Sequence, residues 1–217
     1  MEAASAELAS IPVAGARRPR VAIFGDLYVR DNDIFNQQLL RAIEDAGAEA
    51  VTTPYADYVD ICARPYFAHL RTVGRRAEAA SLHALWIAGR ALGARYRRIF
   101  DRFLDPEIRI PVTESEQFFR SFGLRMEQAG ESWENLVKIQ HLARTIPDLA
   151  LFIQASPGFC CPSMVTEAMS RDIERATGVP VVSITYDGTG RSANDVIVPY
   201  VSSAADRRAP GLRERAI

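Results

Sequence analysis

The chain has 217 residues, 48% of them hydrophobic, with Lys+Arg 26 against Asp+Glu 27 and a formal net charge of −1. That length buries a core without staples, and the balanced charge excludes a general electrostatic attraction to nucleic acid. Cys 3 excludes a disulfide framework, the start lacks the charged-then-apolar pattern of a signal peptide, and no stretch approaches the roughly 18 apolar residues of a membrane span. The expectation is a cytoplasmic protein with reduced thiols.

Residues 1–19 are Ala-rich without strong periodicity and are expected to be a flexible leader. "RVAIFG" (20–25) is a short apolar run ending in Gly, the pattern of a buried parallel strand. After the polar "DLYVRDND", Ile34, Leu39, Leu40 and Ile43 recur at helical spacing until Gly47, and "AEAVTTP" reads as a second strand. From about Tyr66 the chain turns into helix after helix, broken by Pro106 and Pro111 in "DPEIRIP" and ending near Thr145. Strand and helix then alternate again: "DLALFIQAS", "SMVTEAMSRDIERATG" closed by Gly178, "VPVVSITYDG", and a last helix in "SANDVIVPYVSSA". The fold class expected is α/β, a Rossmann-like, mostly parallel sheet. One domain would span 20–203 with a helical insertion at about 66–145, followed by a flexible tail at 204–217.

In such a sheet the loops after the strands meet at one edge, where ligands bind. Three loops qualify. "SPGFCCPS" places Cys160 and Cys161 at a helix start, with Ser163 as the expected cap; backbone N–H groups there favour thiolate, the form that binds iron or attacks electrophiles. Buried cysteine is equally often a small core residue. "GDLYVRDND" begins with Gly25 and offers Asp26, Arg30, Asp31, Asn32 and Asp33. It is not G-x-G-x-x-G, so no dinucleotide is expected, and Arg30 could hold an anion or pair with a neighbouring Asp. "YDGTGRSAND" supplies Gly188 and Gly190, either as an anion cradle or as a simple turn. His69, His83 and His141 lie apart in the helical part and read as structural. The arginines Arg90, Arg95, Arg97, Arg98 and Arg102 could bind an anion, but their plainer reading is a solvated helix face.

Taken together, "PRVAIFGDLYVRDNDIFNQQLLRAIEDAGAEAVTTPYADYV" and "PGFCCPSMVTEAMSRDIERATGVPVVSITYDGTG" resemble segments of the CoA-substrate-specific enzyme activases. Those belong with the 2-hydroxyacyl-CoA dehydratase and benzoyl-CoA reductase superfamily. Gly25, Tyr28, Val29 and Arg30 match the first block, with Asp26 in place of Glu, and Cys161-Pro162 falls within a residue of the Cys in the second. The likeness covers most of residues 19–201. It implies an iron–sulfur-binding, electron-transfer or accessory domain holding a 4Fe–4S cluster. Cys160 or Cys161 would be ligands and Cys62 a third; Gly158, Gly188 and Gly190 would let backbone approach the cluster; Tyr28 and Arg30 would line the same edge and contact an acyl-CoA or a partner.

No stretch of these residues resembles the family's ATPase part, and the cysteines are too few for an all-cysteine site. The resemblance therefore implies a protein partner, either an activator ATPase or a dehydratase or reductase subunit, or a homo-oligomer that completes the coordination. Two other readings remain at this point. One is a cluster-free scaffold or regulatory subunit with core cysteines, and the other a thiol enzyme.

Overall fold

Four apolar runs become the strands β1 (Arg20–Gly25), β2 (Glu49–Val51), β3 (Leu149–Pro157) and β4 (Val181–Tyr186). In the computed structural model, which describes residues 2–12, 18–100, 103, 116–125 and 130–206, they pair in parallel in the order β2-β1-β3-β4. Alternation sorts their side chains onto two faces, both covered, as parallel sheets require. Val21, Ile23, Leu151, Ile153, Val182 and Ile184 face α3 (Leu39–Asp45) and α10 (Ile197–Asp206), meeting Leu39, Ile43, Ile197 and Val201. Ala22, Phe24, Phe152 and Val181 face α7 (Glu131–Thr145) and α9 (Ser170–Thr177), meeting Leu136, Ile139, Leu142 and Ile173. Phe24 and Phe152 touch edge to face, with centroids 6.1 Å apart. The Rossmann-like α/β architecture read from the sequence is the one observed.

Beyond the sheet, α4 (Tyr55–Thr72) packs on α7 through Ile61 and folds back into α5 (Arg76–Phe100). The helical run thus starts at Tyr55, earlier than the expected 66. Its last member, α7, packs directly on the sheet as part of the layered core. A short α6 (Glu116–Ser121) brings the buried Phe119 onto Trp133, ring centroids 3.8 Å apart.

Several local expectations are corrected. Residues 2–10 of the supposed leader form α1 (Glu2–Ser10), anchored where the buried Ser5 hydroxyl donates to the Ile99 carbonyl at 3.0 Å. The expected helix around Ile34 begins only at Leu39, and Ile34 is 94% exposed. The cause lies in side chains. Asn36 donates to the carbonyls of Val29 and Arg30 and accepts from Leu39 N–H, while Gln37 bonds Arg191 O and Ala193 N–H in the loop after β4. These bonds outcompete helix and hold Gln37 and Gln38 at φ of 54° and 60°. The single helix expected after the cysteines is two, α8 (Cys161–Ala168) and α9, meeting at Met169. Of the expected tail, 204–206 end α10 and the rest lies outside the described residues.

Candidate metal centre at the switch point of the sheet

The strand order reverses between β1 and β3, so the crevice beyond their carboxyl ends is where this architecture places ligands. Gly25 closes β1 at φ +115°, and a Cβ on it would fall 2.2 Å from the Ala155 carbonyl oxygen. Only glycine permits that approach. It lets Asp26 N–H donate to Ala155 O at 2.9 Å, while Gly25 N–H donates to Asn135 Oδ1 of α7 at 3.1 Å. Asp26 then caps α2 (Leu27–Arg30), its Oδ1 accepting from Tyr28 and Val29 N–H at 3.0 and 2.8 Å.

Across the crevice, β3 runs into Gly158 and Phe159, the latter at φ 64° and 96% exposed. Cys160 follows as the N-cap of α8. The expected cap, Ser163, lies inside the helix, which starts earlier because Pro162 sits in its first turn, where a missing N–H costs nothing. Glu131, the first residue of α7, arrives from a third direction after Gly130. One ligand atom each of Asp26, Glu131 and Cys160 lie within 4.8 Å of one another, all three residues half-buried.

Burial and then the Asp26 charge hold the Glu131 carboxyl above its usual range, against the opposing pull of Arg30. Behind it lies a cluster of ionisable groups, buried except for the exposed Asp31. Arg30, 2% exposed, lies 3.4 Å from Asp31, 3.6 Å from Glu134 and 3.4 Å from the Thr53 hydroxyl, and Lys138 pairs with Glu134 one turn along α7. Burial pushes Glu134 up to about 8, with Arg30 pulling down and Glu131, Asp57 and Asp31 pushing further up. In the same layer, Asn135 Nδ2, Gln154 Oε1 and Ser163 Oγ are buried without a hydrogen-bond partner.

The other residues singled out from the sequence fall elsewhere. Arg30 is locked into the buried pairs just described. Tyr28 is 66% exposed and sits edge-on to Phe35, and Cys161 points outward. Cys62 lies on α4 against Tyr58, its thiol pushed up to about 12 by burial and then by Glu134. Neither Cys161 nor Cys62 joins the Asp26–Glu131–Cys160 group. Gly188 and Gly190 take φ of 75° and 74° in a turn held by Thr189, whose N–H and hydroxyl both donate to Asp187. Those bonds lower the Asp187 pKa. The residue missed was Glu131, although "GES" before an apolar helix is an acidic first turn of the kind that marks a helix start.

Comparison with protein-family models, curated proteins and solved structures found no match. The reading of the site therefore rests on its own chemistry. No helix among the described residues is long and apolar enough to cross a membrane.

The donor set can be tested against a 4Fe–4S cluster. Such a cluster takes thiolates, and the crevice offers Cys160 beside two carboxylates, with Cys161 next to it and outward-facing. The chain alone does not fit an all-cysteine cluster.

Proposed function

We propose that the chain is a metal-holding accessory domain whose centre is the β1/β3 crevice, with Cys160 as its thiolate ligand. The observation that carries this is the convergence of the Asp26, Glu131 and Cys160 ligand atoms within 4.8 Å at the switch point. A thiol and two carboxylates gathered at one edge repel one another when ionised, and a bound cation relieves that repulsion. The likeness of the two sequence blocks to the dehydratase and activase superfamily makes iron–sulfur chemistry the first assignment. In it Cys160 contributes one corner of a cluster whose remaining thiolates come from a partner chain, and the domain serves electron transfer.

The mixed donor set supports a second reading, a mononuclear divalent ion held by one sulfur and two oxygens with an open position. Anaerobic purification followed by iron, zinc and acid-labile sulfide analysis separates the two. Iron with sulfide and broad visible absorption, lost in Cys160→Ser, supports the shared cluster. Metal without sulfide, lost equally in Asp26→Asn, supports the mononuclear site. A protein that takes up neither, even on reconstitution, overturns both and leaves a scaffold.

A further inference from the structure

Helices α4 and α5 run antiparallel, with their register fixed by polar and aromatic contacts. Trp86 Nε1 donates to Asp60 at 2.8 Å, Arg90 lies 3.5 Å from the same carboxylate, and Phe67 packs against His83 and Trp86 with centroids 5.2 and 6.0 Å apart. Between the helices lies a groove of about 830 Å³, a volume within the range of small-molecule sites.

Its walls are apolar toward the hairpin turn, where Tyr66, Phe67, Leu82, Leu85 and Trp86 line it. Toward the open end of the hairpin it is cationic. Arg90 stacks 4.8 Å over the Trp86 ring and shares Asp60, and Arg97 lines the same end with no ion-pair or hydrogen-bond partner among the described residues.

A second feature points the same way. Gly89 and Gly93, one turn apart in the interior of α5, both line the groove. Each costs a helix about 1 kcal/mol relative to Ala. Neither is required by crowding: a Cβ on Gly89 would meet nothing within 4 Å, and one on Gly93 only the Arg97 guanidinium at 3.7 Å. What the glycines preserve is the open width of the groove.

We propose that the α4–α5 groove binds an organic acid with a hydrocarbon body. The carboxylate lies at Arg97 and Arg90, where a charge-assisted bond is available, and the tail runs among Trp86, Leu85 and Phe67. Charge complementarity selects this occupant: an uncharged hydrocarbon leaves Arg97 unpaired, and a small inorganic anion leaves the apolar walls empty. Apart from Gly130, its lining comes from α4 and α5, and none of Asp26, Glu131 and Cys160 lines it.

The test is calorimetric titration of the full chain with octanoate and, separately, with 1-octanol. Octanoate is expected to bind saturably and about tenfold or more tightly than octanol. Arg97→Gln should bring octanoate down to the octanol level. Gly89→Leu, which improves helix propensity while filling the groove, should abolish binding without lowering the melting temperature. Cys160→Ser should leave octanoate binding unchanged, so a failed metal centre and a failed groove are told apart. Equal affinity for octanoate and octanol, absence of saturable octanoate binding, or unchanged affinity in both groove variants overturns the proposal.

Discussion

Gly25 and Ala155 meet so closely that a Cβ on the first would lie 2.2 Å from the carbonyl oxygen of the second. The contact sets the spacing of β1 and β3 at the edge where Asp26 and Cys160 leave the sheet. Gly25→Ala meets both a clash with backbone and an unfavourable φ of +115°. It should destabilise the fold by about 2 kcal/mol or more. It should also weaken metal uptake, because Asp26 is held by its own bond to Ala155 O. Chemical denaturation together with metal analysis of whatever folded fraction remains checks both effects. Wild-type stability in this variant would contradict the close approach.

Glu134 titrates near 4.5 when solvated and at about 8 in the fold, because burial penalises its charge. The native state therefore holds a proton that the unfolded chain has released. The contribution is fully present below pH 4.5 and is lost as pH rises through about 8. The melting temperature should fall between pH 5 and pH 8, and Glu134→Gln should flatten that slope. Thermal scans of both proteins across this window decide the point, and identical slopes would rule Glu134 out as the source.

Glu131 gives effects of opposite sign on stability and on metal binding. Its raised carboxyl reflects burial and repulsion from Asp26. Glu131→Gln should stabilise the metal-free protein, raising the melting temperature by about 2 °C, while reducing metal affinity. In the wild-type protein the metal must displace a proton that Glu131 holds to a higher pH than an ordinary carboxylate, so affinity should climb with pH through that titration. Melting scans of the chelator-treated proteins and metal titrations at several pH values read out both. A variant that binds metal as tightly as the wild type would remove Glu131 from the site.

The cysteines should separate by reactivity. Cys161 is exposed, whereas the Cys62 thiol is pushed up to about 12 by burial and Glu134, leaving almost no thiolate at neutral pH. Iodoacetamide at pH 7.5, followed by peptide mass mapping, should label Cys161 first and Cys62 last. Early labelling of Cys62 would show that its thiol is not held against Tyr58 as described.

Much of this architecture was legible in the sequence because its signals are local and one-dimensional. "RVAIFG" and "LALFI" are apolar runs of the kind that suits strands covered on both faces, and "VPVVSITY" is a third, relieved only by Ser183 and Thr185 on one side. Parallel strands in turn dictate that the loops after β1 and β3 share an edge, which is why Asp26 and Cys160 lay in the loops singled out. The failures came where side chains far apart in sequence decided the backbone. Asn36 and Gln37 draw residues 32–38 out of helix by bonding to segments around Val29 and Arg191, and no periodicity around Ile34 could reveal that.

The sequence by itself determined the layers, the parallel sheet and the exit of the cysteine loop at the carboxyl edge of the strands, because burial patterning along the chain is enough to sort strands from helices. Only the tertiary structure decided which residues meet there. Glu131 reaches Cys160 because α7 packs on the sheet with its first turn at that edge, Arg30 turns inward because Glu134 and Thr53 wait beneath it, and Cys62 stays on α4 beside Tyr58. Those outcomes depend on packing between elements distant in sequence, where each charge settles against the opposite charge, or the burial, that the fold brings to it.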